Sequence, residues 1–113
     1  FGLFESRKRA RWLLARYRSI TNEGARIIVT SCDPYRTDNR HHLDYQRSNR
    51  RRGRMSGQIR IRVRYQTYVT PWFDYLLVSP DEMKELVEGT GWRVAEQYLS
   101  KGPVYSAVIE RVD

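Results

Sequence analysis

The residues best suited to chemistry fall between Cys32 and Tyr75. Asp33, Pro34 and Tyr35 follow the most apolar β-branched run of the chain. In an open α/β sheet the carboxyl ends of the strands are where ligands bind. A plain strand-ending turn, with Asp33 accepting from nearby backbone, is the simpler reading of the same residues. His41 and His42 offer imidazoles that can take a proton from a reacting nucleophile. Neighbours in sequence diverge on a helix, and no Cys or suitably spaced acid completes a metal set, so exposed surface histidines are the alternative. Arg60, Arg62 and Arg64 form a ladder on one strand face that can grip phosphate or an acidic substrate. Tyr45 and Tyr68 can add stacking; a charged face that discourages edge-to-edge aggregation explains the ladder equally. Trp72, Phe73 and Tyr75 can wall a pocket or pack a core or interface. Cys32 reads as a small buried hydrophobe, with nothing beside it to lower its pKa.

The elements that position these groups follow from periodicity. Ala10, Leu13, Leu14, Tyr17 and Ile20 recur at helical spacing, which predicts a helix over 5–20 ended by Asn22-Glu23-Gly24. Ile27-Ile28-Val29 predicts a strand over 25–32 covered on both faces, closed by Asp33-Pro34. Residues 37–53 are polar and basic; Thr37 or Asp38 can cap a surface helix there and Gly53 can end it, a loop being the alternative. Residues 58–69 alternate, with Ile59, Ile61, Val63, Tyr65 and Val69 on one side and the arginines on the other. With a second strand over 72–78, after the interruption at Thr70-Pro71, they make a long hairpin. Ser79-Pro80-Asp81-Glu82 is a capping-box helix start, and Gly89 or Gly91 a stop. Strands over 92–99 and 104–112, joined by Lys101-Gly102-Pro103, form a terminal antiparallel hairpin.

Composition sets the bounds. A chain of 113 residues fits one small α/β unit or a piece of a larger domain. Apolar residues at 40%, with three Trp and eight Tyr, can build a core, so 30% charged residues do not signal disorder. One cysteine excludes an internal disulfide or multi-Cys metal site and suggests a reducing, cytoplasmic setting. No apolar run approaches the roughly 20 residues of a membrane helix, and no signal peptide is evident. The start on Phe1 rather than Met carries the expectation of a fragment. Within the net charge of +8, Lys and Arg outnumber acids 17 to 5 in residues 1–64 and trail them 4 to 8 in 65–113. Such a basic half can attract nucleic acid, face a missing acidic domain, or simply be solvated.

The ordered set of helix, buried strand, Asp-Pro, insertion, capped helix, strand, turn and strand resembles the C-terminal half of class I S-adenosylmethionine-dependent methyltransferases. Ser79 to Trp92 is similar to that family's penultimate helix with its Gly-aromatic exit. Val104 to Glu110 is similar to its closing strand, which runs antiparallel between its neighbours. Phe1-Gly2-Leu3-Phe4 resembles the loop after its fourth strand. The resemblance spares only about Thr37 to Val78. It implies an α/β, Rossmann-like half-sheet of mixed parallel and antiparallel strands. A single fragment is expected, with helix, buried strand and substrate-side loop over 1–36, basic insertion and β-hairpin over 37–78, and helix with terminal hairpin over 79–113. It further implies a parent enzyme that methylates an unknown small-molecule or nucleic-acid acceptor. Asp33, Tyr35, His41, His42, Arg62 and Trp72 are then the substrate-side candidates. The family's Gly-rich turn is absent, so S-adenosylmethionine would be bound mainly by a missing N-terminal half, leaving the fragment inactive alone. The sequence offers no metal site. A half-sheet also exposes an edge that invites homodimers. A basic nucleic-acid-binding module without enzymatic activity is the competing reading.

Overall fold

The computed structural model describes all residues 1–113. After a single 3-10 turn at Gly2–Phe4 come α1 (Arg7–Ile20), β1 (Arg26–Cys32) and α2 (Arg40–Arg51). The hairpin strands β2 (Gln58–Ile61), β3 (Arg64–Tyr65), β4 (Tyr68–Val69) and β5 (Phe73–Leu76) follow, then α3 (Pro80–Val87), β6 (Trp92–Leu99) and β7 (Val104–Arg111).

The main sheet has the order β1-β7-β6. β7 pairs antiparallel with both neighbours, Ile27 opposite Ile109 on one side and Val94 opposite Ile109 on the other. β1 and β6 therefore point the same way, with β7 reversed between them. No hydrogen-bonded pair is parallel, so of the mixed sheet expected from sequence the antiparallel part is present here.

Helices α1 and α3 lie on one face of this sheet. Ala10 and Leu14 of α1, and Met83, Leu86 and Val87 of α3, pack with Val29, Ala107 and Ile109. Each fully buried Leu there contributes about 1.5–3 kcal/mol relative to an exposed one. Trp92 donates its indole N–H to the Leu14 carbonyl at 2.7 Å, satisfying the one polar atom of a buried ring. Arg11 donates to the Leu86 and Glu88 carbonyls at 2.9 and 2.7 Å, tying α1 to the carbonyl end of α3, where a cation is favoured.

The opposite sheet face is bare. β1 alternates instead of being covered twice: Val29 is buried while Ile28 is 79% exposed. A strand is covered on both faces only when layers lie on both, and here the second layer is missing. Val104 and Tyr98 share this uncovered face, being aligned with Cys32 and Ser106 in the strand register.

The hairpin also departs from the expected single strand over 58–69. β2 pairs with β5 and β3 with β4, and the chain turns at Gln66 and Thr67, where Gln66 has φ 54°. Between the ladders, residues 62–63 face residues 70–72, and the extra residue accompanies Pro71, which has no N–H to give the ladder. Ile59 and Ile61 are half-buried at the base, but Val63, Tyr65 and Val69 are exposed because the arm extends beyond the body. Helix α1 starts at Arg7 with Ser6 as its cap, and Ile20 is exposed at its end. No helix is long and apolar enough to cross a membrane.

Candidate functional site

A cleft of about 590 Å³ opens at the carboxyl end of β1. Volumes of roughly 300–1,000 Å³ suit small-molecule sites. Cys32, Asp33 and Pro34 form its floor, His41, His42, Tyr45 and Gln46 of α2 one wall, and Gly57, Ile59, Arg60 and Leu77 of the hairpin base another. Pro103, from the β6–β7 turn, closes it.

Backbone anchors hold these walls. α2 is capped by Asn39, not Thr37 or Asp38: the Asn39 side chain accepts from the His41 N–H at 2.9 Å. Its buried face carries amides in place of an apolar stripe. Gln46 donates to the Pro34 carbonyl, and Asn49 donates to the Ser56 and Gln58 carbonyls at 3.0 and 2.8 Å. Arg36 donates to the carbonyls of Ser100, Lys101 and Gly102, fixing the β6–β7 turn against the loop after β1. Tyr105 and Ser31 donate to the Val78 carbonyl at 2.7 and 3.3 Å, which seats the return of the arm on the sheet.

Within the cleft, Thr37 Oγ1 lies 3.2 Å from His42 Nδ1. With Nδ1 so engaged, Nε2 is the ring nitrogen left for a ligand, and the tautomer decides whether it gives or takes a proton. Asp33 accepts from the Tyr35 N–H at 3.0 Å, the local turn bond that sequence also allowed. Burial, together with the neighbouring Asp33 charge, pushes the Cys32 thiol up, away from nucleophilic use. Cys32 is half-buried in the cleft floor, less enclosed than a core residue.

No protein-family model and no curated protein sequence matches this chain. Solved structures do. The chain aligns over 99% of its length, at 16% identity and TM-score 0.73, with 44% of a SAM-dependent methyltransferase from Bacteroides fragilis in complex with S-adenosyl-L-homocysteine. It aligns over 99%, at 9% identity and TM-score 0.57, with 53% of the CcbJ methyltransferase from Streptomyces caelestis. The fold is that of part of a methyltransferase. At these identities the likeness is one of fold, and the chain spans about half the length of the proteins it matches.

On this methyltransferase fold the sequence-derived candidates divide. Asp33, His41 and His42 come together in the cleft. Tyr35 does not line it: its phenol donates to Glu82 Oε2 at 2.8 Å, outside. Partial burial, opposed by Ser56 and reinforced by Glu82, raises its pKa. Arg62 and Trp72 sit on the arm, with the guanidinium 4.6 Å from the indole centroid, and neither lines the cleft. Thr37, Gln46, Gly57 and Leu77 line the cleft without having been named as site residues from sequence. A Gly just before an alternating run was the only signal for Gly57; a buried amide such as Gln46 leaves none.

Proposed function

We propose that this chain is the C-terminal part of an S-adenosylmethionine-dependent methyltransferase, building the acceptor-side wall of its active site. The observation that carries the reading is β7, the last strand, reversed between two co-directional strands. That is how the methyltransferase sheet ends in the family the sequence resembles. The bound S-adenosyl-L-homocysteine of the Bacteroides fragilis protein supports the choice of cofactor.

The residues present do not fit the cofactor itself. No Gly-rich turn links a strand to a following helix; Gly53, Gly89 and Gly91, all at positive φ, instead follow helices. The one acid at a strand end, Asp33, already accepts from Tyr35. The cofactor then belongs mainly to residues outside this chain, in an N-terminal half that covers the bare sheet face and pairs with the free edge of β1. The chain alone would be inactive.

What this chain supplies is a place for the acceptor. Apolar Pro34, Ile59, Leu77 and Pro103 give the cleft an apolar lining, and alignment of donor and acceptor carries most of such a reaction. His42, in contact with Thr37 at the cleft, would take the acceptor's proton.

Calorimetry with S-adenosylhomocysteine on the 113-residue chain and on the longer protein that contains it tests the reading. The longer protein should bind and the chain alone should not; failure of the longer protein to bind sinks the proposal. In the active protein His42→Ala should lower kcat by about 10²–10⁴-fold, with S-adenosylhomocysteine affinity unchanged.

A further inference from the structure

The hairpin arm carries a row of cations that no ion pair neutralises. Arg60, Arg62 and Arg64 occupy alternate positions of the outgoing limb and all are exposed. None joins an ion pair, whereas Arg47, Arg54 and Arg93 do. Asp74, opposite Arg60 in register, is committed to Gln58 at 3.0 Å and Arg54 at 3.6 Å. Arg62 is held over the Trp72 ring, so part of its freedom is already spent before a partner arrives. At the tip, Tyr65 and Tyr68 are directly opposed and 69% and 73% exposed, on the face of the ladder opposite to Arg64.

Alternate residues of an extended limb are about 6.8 Å apart, and Arg62 stands in the break between β2 and β3. A nucleic-acid strand likewise carries one phosphate charge per nucleotide along its whole length. Cations spread along one limb, with two open aromatic rings on the other face of its tip, match a nucleic-acid strand that rounds the tip better than a compact anion. A small anion would need the three guanidinium groups to converge, and an extended strand spreads them.

We propose that the arm binds a single nucleic-acid strand, Arg60, Arg62 and Arg64 meeting its phosphates on one face and Tyr65 and Tyr68 stacking its bases where it rounds the tip. The proposal goes beyond the methyl-transfer reading and does not rest on it: the arm binds whether or not the cleft accepts a methyl acceptor.

Fluorescence anisotropy of the protein with a labelled oligothymidylate of about 20 nucleotides tests it. Three phosphate contacts give a log-log salt slope near −2, so affinity should fall roughly 20-fold between about 50 and 200 mM salt. The triple variant Arg60→Gln, Arg62→Gln, Arg64→Gln should bring the slope close to zero, and the corresponding triple Lys variant should keep it. Tyr68→Ala should weaken binding about tenfold at an unchanged slope. Circular dichroism reports whether each variant is folded, and the Lys variant controls for loss of structure. Absence of binding at low salt, or binding that survives the Gln triple, overturns the proposal. So does tighter binding to phosphatidylserine vesicles than to the oligonucleotide, which would make the arm a membrane contact.

Discussion

Two single residues carry more of the structure than their types suggest. A Cβ at Gly57 would fall 1.9 Å from the Leu77 carbonyl oxygen, while the Leu77 N–H donates to the Gly57 carbonyl at 2.8 Å. The two backbones cannot separate without opening both the hairpin base and the cleft wall. Gly57→Ala should therefore destabilise by about 1–3 kcal/mol, read as a lower urea midpoint at constant m. Tyr105 is 3% exposed and donates to Val78, and burial pushes its phenol from 10 up to about 12. A phenolate has no proton to donate. The folded pKa lies above the unfolded one, so this stabilisation is complete below pH 10 and is lost as pH rises through 10 to 12. Thermal melts across that window should show Tyr105→Phe less alkali-sensitive, though weaker by about 1 kcal/mol at neutral pH. Nothing in the sequence separates Tyr105 from the other tyrosines; its depth comes from the helices above it.

At the scale of elements, α3 and α2 are opposites. The start of α3 is written locally: Ser79 accepts from the Glu82 N–H at 3.1 Å, Glu82 accepts from the Ser79 N–H at 2.9 Å, and Pro80 takes the first helical position. All three were legible because a capping box is a contact within four residues. Ser79→Ala should cost about 1 kcal/mol in chemical denaturation. α2 shows no apolar stripe, and sequence left it between helix and loop, because it docks through Gln46 and Asn49. Asn49→Ala leaves two buried carbonyls without a donor and should cost about 1–3 kcal/mol, more than the loss of the Ser79 cap. The arm shows a third situation. Its alternation was read correctly at Ile59 and Ile61, but the pattern cannot say where a strand leaves the body, nor that its turn sits at Gln66.

For the whole molecule, the uncovered sheet face and the free edge of β1 dominate. Ile28 at 79% exposure and Val104 at 54% lie on a layer with no second cover. The isolated chain should self-associate with rising concentration in sedimentation velocity, and Ile28→Glu should return it toward monomer with little loss of stability. A chain that stays monomeric at high concentration would show that this face needs no partner.

By itself the sequence determined α1 and α3, the terminal hairpin and the order of elements, since caps, turns and periodicity act over a few residues. It also held the resemblance that placed the closing strand beside β1, a pairing that spans from Arg26 to Glu110. Only the tertiary structure decided the cleft, because its walls come from positions as distant as Cys32 and Pro103 and are set by amide and guanidinium contacts to backbone carbonyls. It likewise decided which side of β1 is bare: burial belongs to a residue's neighbours in space, and an isoleucine reads the same in sequence whether a layer covers it or not.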